Sequence, residues 1–394
     1  MKKVLVLGGG FAGVEAAIYL RKEKYEVTLV SERDYFFIFP TSIWIPTREM
    51  EFKDVSINLE DLKKAHGFSV IIDRVTKISA KNNSVTLNNG SVLDDYDYLV
   101  VAMGAGKLKP KGVEHTLSIC GAPQQSLLIR DELDRLIEKG SGKLAFGFGG
   151  NPNDSSAVRG GPGFELIFNV HHLLKKKGIR DNYELTFFAP MAEPGKKMGP
   201  KSLKMMDKYF DRLGIKKQFG KKITGFEKDG VRFEDGSKLE SDFTMFIPAG
   251  NGHDVIRESD LPLSESFFVE TDDFSNVIFK EDDMPTNIYA IGDTAKLEGF
   301  DWRAKQGHVA EVMARNLAFN IKERDKGGVK FKGYKDHLNI LCVMDSGDGA
   351  AFIYRDNKRA FSIPMPIFGH WLKKGWGTYC RLSKLGKIPR IPGM

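Results

Sequence analysis

Three glycines near the start of the chain, Gly8, Gly10 and Gly13, have the spacing of a loop that binds the pyrophosphate of a dinucleotide. The first permits a tight turn, the second lets a phosphate approach the backbone, and the third lets a helix pack closely on a strand. Glu32 follows 19 residues after Gly13, where its carboxylate can accept hydrogen bonds from ribose hydroxyls. The same segments supply further candidate contacts: Phe11, Ala12 and Arg33.

Three cysteines, Cys120, Cys342 and Cys380, are the second set of residues with distinctive chemistry. They are few and far apart, which is typical of free thiols in a reducing compartment and not of a disulfide framework. Cys342 ends an apolar run and is a candidate nucleophile, because thiolates react readily once their pKa is lowered. Cys120 is a second candidate, and Cys380 is interpreted as a bystander. No spacing of cysteines and histidines predicts a metal site.

Glu165 is the candidate for proton transfer. It follows the residues Gly-Pro-Gly-Phe at a predicted helix start, where the helix dipole favours a negative charge. A carboxyl group in that place can also take up and release protons during a reaction. The sequence therefore predicts either a stabilising or a catalytic role for this residue.

The predicted elements place the glycine loop between a strand and a helix. An apolar run at 4–7, helical spacing at 14–23 and a β-branched run at 26–30 predict a βαβ unit and a parallel sheet. Asn-Gly and Asp-Gly turns predict antiparallel hairpins at about 70–100 and around 229–236. The other predicted elements are buried strands at 98–102 and 287–291, a helix at about 306–324, and an α+β segment over the last seventy residues.

A second α/β unit begins near residue 143, but its nucleotide-binding features are missing. Its first strand leads into a long loop that contains Pro152, and proline removes a backbone donor where a phosphate would bind. The helix is predicted to start only at about Gly163. The next strand, 183–189, ends at Pro190 without an acidic residue for a ribose. We therefore predict against tight NAD(P)H binding, with an unusual nicotinamide site as the alternative.

The overall composition is that of a globular chain of 394 residues, which predicts two or more domains. No window approaches ~18 consecutive apolar residues, and the first residues lack signal-peptide features, so an intracellular location is predicted. The net charge is +7, yet the segment after Asp356 contains eight basic residues and no acidic ones. Because the rest of the chain is close to neutral, a nucleic-acid-binding surface is not expected.

The last part of that segment interleaves aromatic and basic residues, among them Phe368, Trp371, Lys373, Lys374 and Trp376. Aromatic side chains can lie at the level of lipid headgroups while lysines meet anionic lipid. The pattern predicts a peripheral membrane anchor. A helix that covers a cofactor, or a dimer interface, is the alternative.

Two strand ends resemble the FAD motifs of flavin-dependent reductases. Met103-Gly104 is similar to the strand-Thr-Gly element of those enzymes, and Ile-Tyr-Ala-Ile-Gly-Asp at 288–293 resembles their second FAD motif. The resemblance implies FAD as the cofactor, with Gly104, Gly292 and Asp293 as contacts and the aspartate on the ribityl chain. Lys305 would place a positive charge near the N1–C2=O edge of the flavin.

Further stretches resemble the sulfide:quinone oxidoreductase family, within the pyridine nucleotide-disulfide oxidoreductase superfamily. The matching stretches are Ser-Ile-Cys at 118–120, Gly-Pro-Gly-Phe-Glu at 161–165, Pro190 to Gly199, Ala-Lys-Gln-Gly at 304–307, and Leu-Cys-Val at 341–343 followed by Asp345 and Gly347. Sibling types are flavocytochrome c sulfide dehydrogenases and type II NADH dehydrogenases. The resemblance implies sulfide as the electron donor, a quinone as the acceptor and Cys342 as the last redox cysteine.

One position departs from that family, because Arg159 stands where its middle cysteine would be, two residues before the Gly-Pro pair. The usual redox pair of the family is the middle and the last cysteine. Three alternatives stay open: Cys120 takes the missing role, sulfide attacks the flavin directly, or the substrate is different.

The sequence thus predicts an α/β protein with two Rossmann-like three-layer domains and a C-terminal α+β segment with an amphipathic tail. The predicted parts are a FAD domain in two pieces, 1–110 and 241–325, a degenerate nucleotide-binding-like domain, 111–240, and a membrane- and quinone-associated segment, 326–394. The predicted function is a FAD-dependent oxidoreductase, peripheral on the cytoplasmic face of a membrane, that passes electrons from sulfide or another reduced sulfur compound to quinone. The alternatives are a type II NADH:quinone oxidoreductase and a non-catalytic flavoprotein subunit. Assembly into a homo-oligomer also stays open.

Overall fold

The structure is a computed structural model, and it describes residues 1–281 and 283–390. The helices are α1 (Phe11–Lys22), α2 (Leu59–His66), α3 (Gln125–Lys139), α4 (Gly161–Lys176), α5 (Pro200–Arg212), α6 (Asp254–Arg257), α7 (Gly307–Asp325) and α8 (Phe368–Lys384). The strands are β1 (Lys3–Leu7), β2 (Glu26–Ser31), β3 (Tyr35–Phe37), β4 (Ser56–Asn58), β5 (Ser69–Ile72), β6 (Val75–Ser79), β7 (Ser84–Leu87), β8 (Val92–Leu93), β9 (Tyr98–Val101), β10 (Gly106–Lys107), β11 (Gly142–Phe148), β12 (Tyr183–Ala189), β13 (Lys216–Phe219), β14 (Ile223–Glu227), β15 (Gly230–Phe233), β16 (Lys238–Glu240), β17 (Phe243–Ile247), β18 (Gly250–Asn251), β19 (Ile288–Ala290), β20 (Ile340–Asp345), β21 (Gly349–Arg355) and β22 (Ala360–Pro366).

A parallel five-stranded sheet with the order β19-β9-β1-β2-β5 forms the first domain. Leu7 at the end of β1 pairs with Val30 of β2 and Val101 of β9, so the carboxyl ends of these strands meet at one edge. The glycine loop leaves β1 at this edge, and α1 starts directly after it. Helices α1 and α7 pack against each other. The predicted βαβ unit is confirmed.

Two small antiparallel sheets, β6-β7-β8 and β14-β15-β16, occupy the predicted hairpin regions. Their turns use Gly90 and Gly236 at φ 86° and 80°, where glycine has no steric penalty. The first hairpin is shorter than predicted, because β5 is not part of it. Instead β5 extends the large sheet, with Ser69 paired in parallel to Thr28 of β2.

A parallel four-stranded sheet with the order β13-β12-β11-β17 forms the second domain. Strand β17 lies beyond the predicted boundary at residue 240 but pairs with β11, so the second sheet extends to Ile247. Phenylalanine rings fill the core beside it, and Phe164 of α4 stacks on Phe187 of β12 at 4.4 Å between ring centroids. Helix α4 starts at Gly161, two residues earlier than predicted.

The C-terminal segment forms an antiparallel sheet, β20-β21-β22, covered by α8. Ile340 and Ile353 of this sheet pack into the core of the second domain, whereas Cys380 of α8 packs into the core of the first. The segment therefore ties the two domains together. Of the helices in the described ranges, none is long and apolar enough to cross a bilayer.

Candidate active site

The glycine loop forms a cradle at the amino end of α1. Gly8 has φ 113°, and a Cβ on it would lie 2.3 Å from the carbonyl oxygen of Ala102. A Cβ on Gly13 would lie 1.8 Å from the carbonyl oxygen of Gly8, so helix and loop touch here. Gly10 is the N-cap of α1, and a Cβ on it would have no other atom within 4 Å. The open space at Gly10 faces the positive end of the helix and fits a pyrophosphate.

The other predicted cofactor residues lie at the neighbouring strand ends. Glu32 is exposed directly after β2, where its carboxylate is free to accept ribose hydroxyls. Gly104 after β9 and Gly292 after β19 have φ 75° and 66°. The hydroxyl of Thr294 donates to the carbonyl of Gly104 at 3.0 Å and joins the two loops. Asp293 therefore lies at the same sheet edge as the glycine cradle.

Substituting alanine for Gly13 is expected to weaken dinucleotide binding more than tenfold and to lower the stability of the apoprotein, because its methyl group overlaps the Gly8 carbonyl. Alanine at Gly10 has space in the apoprotein, so Gly10→Ala is expected to leave the melting temperature unchanged while still weakening binding. Cofactor content and thermal melting of both variants are the measurements. Equal melting temperatures for the two apoproteins would contradict this interpretation of the cradle.

A cavity of about 1570 Å³ opens between the two domains and the C-terminal segment. It brings together predicted catalytic residues that are far apart in sequence: Cys120, Glu165 and Cys342. Lys305 and Arg159 line the same cavity. Its apolar lining includes Phe11, Phe39, Pro40, Leu372 and Trp376. The cavity thus combines reactive groups with an apolar wall.

Both predicted reactive cysteines are free thiols that face this cavity. Burial raises the pKa of the Cys342 thiol to about 12, with a contribution from Glu165 and opposition from Lys373. Burial also raises the pKa of Cys120, and the charges of Lys107 and Arg159 oppose that rise. Both residues are therefore thiols at neutral pH, and a reaction at either one requires a base or a cation to stabilise the thiolate.

Glu165 and Lys373 form an ion pair on the cavity wall, with side chains 5% and 7% exposed. The Glu165 carboxylate also accepts the backbone N–H of Asp345 at 2.8 Å. Burial raises the pKa of Glu165 above its usual value, although Lys373 lowers it. A carboxyl whose pKa is raised in this way is a candidate for proton transfer beside Cys342.

Asp345 organises a second buried network behind that pair. Its carboxylate, in a fully buried side chain, accepts Asn169 Nδ2 at 2.9 Å and Trp44 Nε1 at 3.3 Å. His370 Nδ1 lies 2.7 Å from the second carboxylate oxygen, and His370 Nε2 lies 3.2 Å from Glu49. The network fixes the start of α8 against the second domain. Asp345 follows the last cysteine stretch and His370 lies in the tail pattern, but no sequence signal indicates that the two residues meet.

Stability is expected to fall as the pH rises through about 9, because His370 loses its proton there. Burial lowers the pKa of His370, but hydrogen bonds to Asp345 and Glu49 outweigh it and raise the pKa to about 9 from 6.5. The stabilisation is complete below pH 6.5 and is worth up to about 3 kcal/mol at ~1.4 kcal/mol per pKa unit. Urea unfolding of the wild type and of His370→Gln between pH 6 and 10 measures it. A variant with the same pH dependence as the wild type would exclude His370 as the cause.

The sequence and the fold both place this chain among known oxidoreductases. Residues 2–314 match the pyridine nucleotide-disulphide oxidoreductase family. The chain belongs to this family. It is 26% identical to the sulfide-quinone reductase of Aquifex aeolicus over 413 residues, 96% of this chain and 90% of the relative. It is also 26% identical to the type II NADH:quinone oxidoreductase of Staphylococcus aureus over 387 residues, 90% of each.

The solved sulfide:quinone oxidoreductase of Aquifex aeolicus has a similar fold, with a TM-score of 0.86, 24% identity, and coverage of 98% of this chain and 92% of that one. The predicted α/β fold class, the resemblance to sulfide:quinone oxidoreductases and the FAD cofactor are confirmed. This member of the pyridine nucleotide-disulphide oxidoreductase family is a FAD-dependent oxidoreductase. When bound, FAD supplies the two-electron chemistry, and the open space at Gly10 and the free carboxylate of Glu32 fit its pyrophosphate and ribose.

The flavin contacts of Lys305 and Asp293 stay predictions for this oxidoreductase, and the structure gives each residue a partner that was not predicted. The Lys305 ammonium donates to the Ala295 carbonyl and lies 4.0 Å from the ring centre of Phe268. Burial lowers its pKa to about 8. Asp293 forms an ion pair with Arg159, which holds the aspartate pKa below its usual value against the effect of burial.

The tail lysines of this oxidoreductase were predicted to meet anionic lipid, and for three of them this prediction is wrong. Lys373 pairs with Glu165, Lys374 lies 2.7 Å from Glu49, and Lys384 is fully buried against Glu15 and Glu311. These cations neutralise carboxylates of the folded body and do not face lipid. The sequence did not reveal this, because the partners lie more than 70 residues away.

The loop after β11 uses its polar groups internally. Asn151 Nδ2 donates to the Gly250 carbonyl at 2.9 Å, and its Oδ1 accepts the backbone N–H of Asn153 at 2.9 Å. Asp154 accepts the backbone N–H and the hydroxyl of Ser156 at 2.8 and 2.6 Å. The backbone N–H groups of Asn153 and Ser156 are therefore bonded within the loop and are not free to bind a phosphate. Weak NAD(P)H binding stays a prediction, and the internal hydrogen bonds of this loop support it.

Proposed function

We propose that this flavoprotein passes electrons from sulfide, or another reduced sulfur compound, to a membrane quinone. The observation that supports it best is the cavity, which presents Cys342 and the Glu165–Lys373 pair on one wall and apolar side chains on another. A cavity thiol can bond to a reduced sulfur donor if bound FAD accepts the two electrons that the new S–S bond releases. An apolar wall suits a quinone ring. Relatives from Aquifex aeolicus and Staphylococcus aureus both have a quinone in their names.

On the donor side, Cys342 is the proposed sulfur nucleophile. It lies in β20, which pairs with β21 and is therefore held rigidly. Glu165 lines the same cavity and is the group proposed to accept the thiol proton. Cys120 faces the same cavity and is the group that can take the role of the missing middle cysteine.

On the acceptor side, the proposed entry is the start of α8. Leu372 and Trp376 line the cavity, whereas Ile367, Phe368 and Trp371 are 71%, 66% and 65% exposed. An exposed apolar group of this kind marks an interaction surface, and here it continues into the cavity wall. We propose that it rests on the cytoplasmic face of a membrane and admits the quinone.

A type II NADH:quinone oxidoreductase is the second candidate. The Staphylococcus aureus relative matches at the same identity as the sulfide-quinone reductase, over 90% of this chain. The bonded loop after β11, together with Pro190 at the end of β12, disfavours nicotinamide binding in this chain.

The two candidates are separated by the visible spectrum of the purified protein, recorded without oxygen. Sulfide is expected to bleach the flavin band near neutral pH, and a quinone analogue is expected to restore it. Bleaching by NADH and not by sulfide would overturn the proposal in favour of the second candidate. Bleaching by neither would point to another reductant or to a subunit without turnover.

Replacing both Phe368 and Trp371 by serine is expected to weaken binding to liposomes at least tenfold, since burying one large apolar side chain contributes about 1.5–3 kcal/mol. The matched control is Val329→Ser, at a position 83% exposed and outside the tail. Co-sedimentation at two salt concentrations measures the binding. Because Lys373, Lys374 and Lys384 are paired with carboxylates of the protein, we expect a weaker dependence on salt than the eight basic residues of the segment would give if all were free. Unchanged binding by the double variant would place the membrane contact elsewhere.

A further inference from the structure

His370 lies between two carboxylates that differ in exposure. Its Nδ1 lies 2.7 Å from a carboxylate oxygen of Asp345, and its Nε2 lies 3.2 Å from a carboxylate oxygen of Glu49. The Asp345 side chain is fully buried, whereas the Glu49 side chain is 30% exposed. An imidazole can take up a proton at one ring nitrogen and release one from the other. The ring therefore connects a carboxylate at the surface to a carboxylate inside the protein.

The inner carboxylate belongs to a residue that contacts the ion pair on the cavity wall. The backbone N–H of Asp345 donates to Glu165 Oε1 at 2.8 Å, and Lys373 donates to the same oxygen atom. Lys373 and His370 are one turn apart on α8, so they share a face of the helix. Trp44 lies beside both: its ring centre is 5.4 Å from that of His370 and 5.8 Å from Lys373 Nζ. The ion pair and the histidine network therefore meet around one indole ring.

Asn169 lies between Asp345 and Glu165 and is 2% exposed. Its Nδ2 donates to the Asp345 carboxylate at 2.9 Å and to the backbone carbonyl of Glu165 at 2.8 Å. Because both partners are acceptors, the remaining atom of the amide is the oxygen. Within the part of the chain that the structure describes, this Oδ1 is buried without a hydrogen-bond partner. Ordered water commonly satisfies a buried acceptor of this kind, and a water molecule bound here would lie close to both acidic residues.

The proposed reaction needs a proton from solvent. A quinone that becomes a quinol takes up two electrons and two protons, whereas a hydrosulfide ion brings only one proton with its two electrons. At least one proton therefore comes from water. Glu165 and Lys373 line the cavity, but their side chains are only 5% and 7% exposed. A path from the protein surface would supply this buried pair with protons.

We propose that His370 relays a proton from Glu49 at the surface to Asp345 inside the protein. From there the proton passes through a water molecule on the neighbouring asparagine amide to the Glu165–Lys373 pair, which delivers it to the quinone. The ring gives one proton to Asp345 and regains one from the Glu49 side, so its proton count is unchanged over a turnover. The inference rests on the acceptor side of the proposed function, and the identity of the electron donor is not part of it.

Reoxidation of the reduced flavin tests the path without sulfide. The FAD-loaded, full-length protein is reduced with dithionite in the absence of oxygen and mixed with a water-soluble, short-tailed ubiquinone analogue. Stopped-flow absorbance then follows the return of the flavin band. His370→Ala is expected to slow this return at least about tenfold, and added imidazole is expected to restore part of the rate by replacing the missing ring. The matched control is His337→Ala, at an exposed position, which should react at the wild-type rate.

Glu49→Gln is the second variant, in case His370→Ala does not retain FAD. Glutamine keeps the size of the side chain but does not release a proton, so reoxidation should slow. Proton entry should then limit the rate, and the solvent isotope effect in heavy water should be larger than in the wild type.

Wild-type rates in both His370→Ala and Glu49→Gln would overturn the path. Slow reoxidation of His370→Ala without rescue by imidazole, together with an unchanged isotope effect in Glu49→Gln, would overturn it as well. His370 would then only hold α8 in place. A wild type that the quinone analogue does not reoxidise would instead overturn the acceptor side of the proposed function, and the path with it.

Discussion

Replacing Cys342 by alanine is expected to slow reduction of the flavin by sulfide roughly 100-fold or more, because the variant loses the proposed sulfur nucleophile. The thiol lies on a paired strand in the cavity, beside the Glu165–Lys373 pair. Stopped-flow absorbance of the flavin band after mixing with sulfide measures the rate.

The matched control is Cys380→Ala, which removes a thiol that is buried in the core of the first domain. It is expected to reduce at the wild-type rate with the same FAD content. Cys120→Ala separates the alternatives for the missing middle cysteine. A loss like that of Cys342→Ala would assign Cys120 to the redox pair, and a wild-type rate would favour direct attack of sulfide on the flavin. A wild-type rate for Cys342→Ala would remove this cysteine from the mechanism.

The first domain could be predicted from the sequence because its signals are local. The first thirty-two residues contain a strand, three glycines, a helix and Glu32. The backbone conformation of each element is limited by steric contacts with its neighbours in sequence. The predicted FAD elements at Gly104 and Asp293 could be assigned only through resemblance. Their meeting depends on β19 and β9 being neighbours in the sheet, which no short-range signal determines.

The ion pairs of the tail could not be predicted, because they depend on long-range contacts. In sequence, Lys373 and Lys384 look like the cationic face of an amphipathic helix. In the fold, α8 bridges two domains and its lysines meet Glu165, Glu15 and Glu311. The aromatic residues Phe368 and Trp371 stay exposed, as a membrane anchor requires. A pattern of basic residues therefore predicts a charged surface only when no carboxylates of the folded protein pair with those residues.

Replacing Lys384 by methionine is expected to destabilise the protein by about 3–5 kcal/mol, the usual cost of breaking a buried ion pair by removing one partner. Its side chain is fully buried, pairs with Glu15, and lies 2.7 Å from Glu311. Arg390 also reaches Glu15 and Glu311 but lies at the edge of the cluster, with a side chain 13% exposed. The variant therefore leaves two buried carboxylates with one partly exposed cation. Urea unfolding of the apoprotein measures the loss.

The matched control is Lys387→Met, three residues further on and exposed, which should stay within about 0.5 kcal/mol of the wild type. The double variant Glu15→Gln/Lys384→Met should lose less stability than the sum of the losses in the two single variants. Lys384→Met leaves the Glu15 carboxylate unpaired, and Glu15→Gln removes that charge. Additive losses would mean that the cluster contributes packing and not electrostatic pairing.

Glu311 of this cluster also lines the cavity. A variant in which α8 is held less tightly should therefore release FAD more readily, so the buried charges of the tail also contribute to cofactor retention.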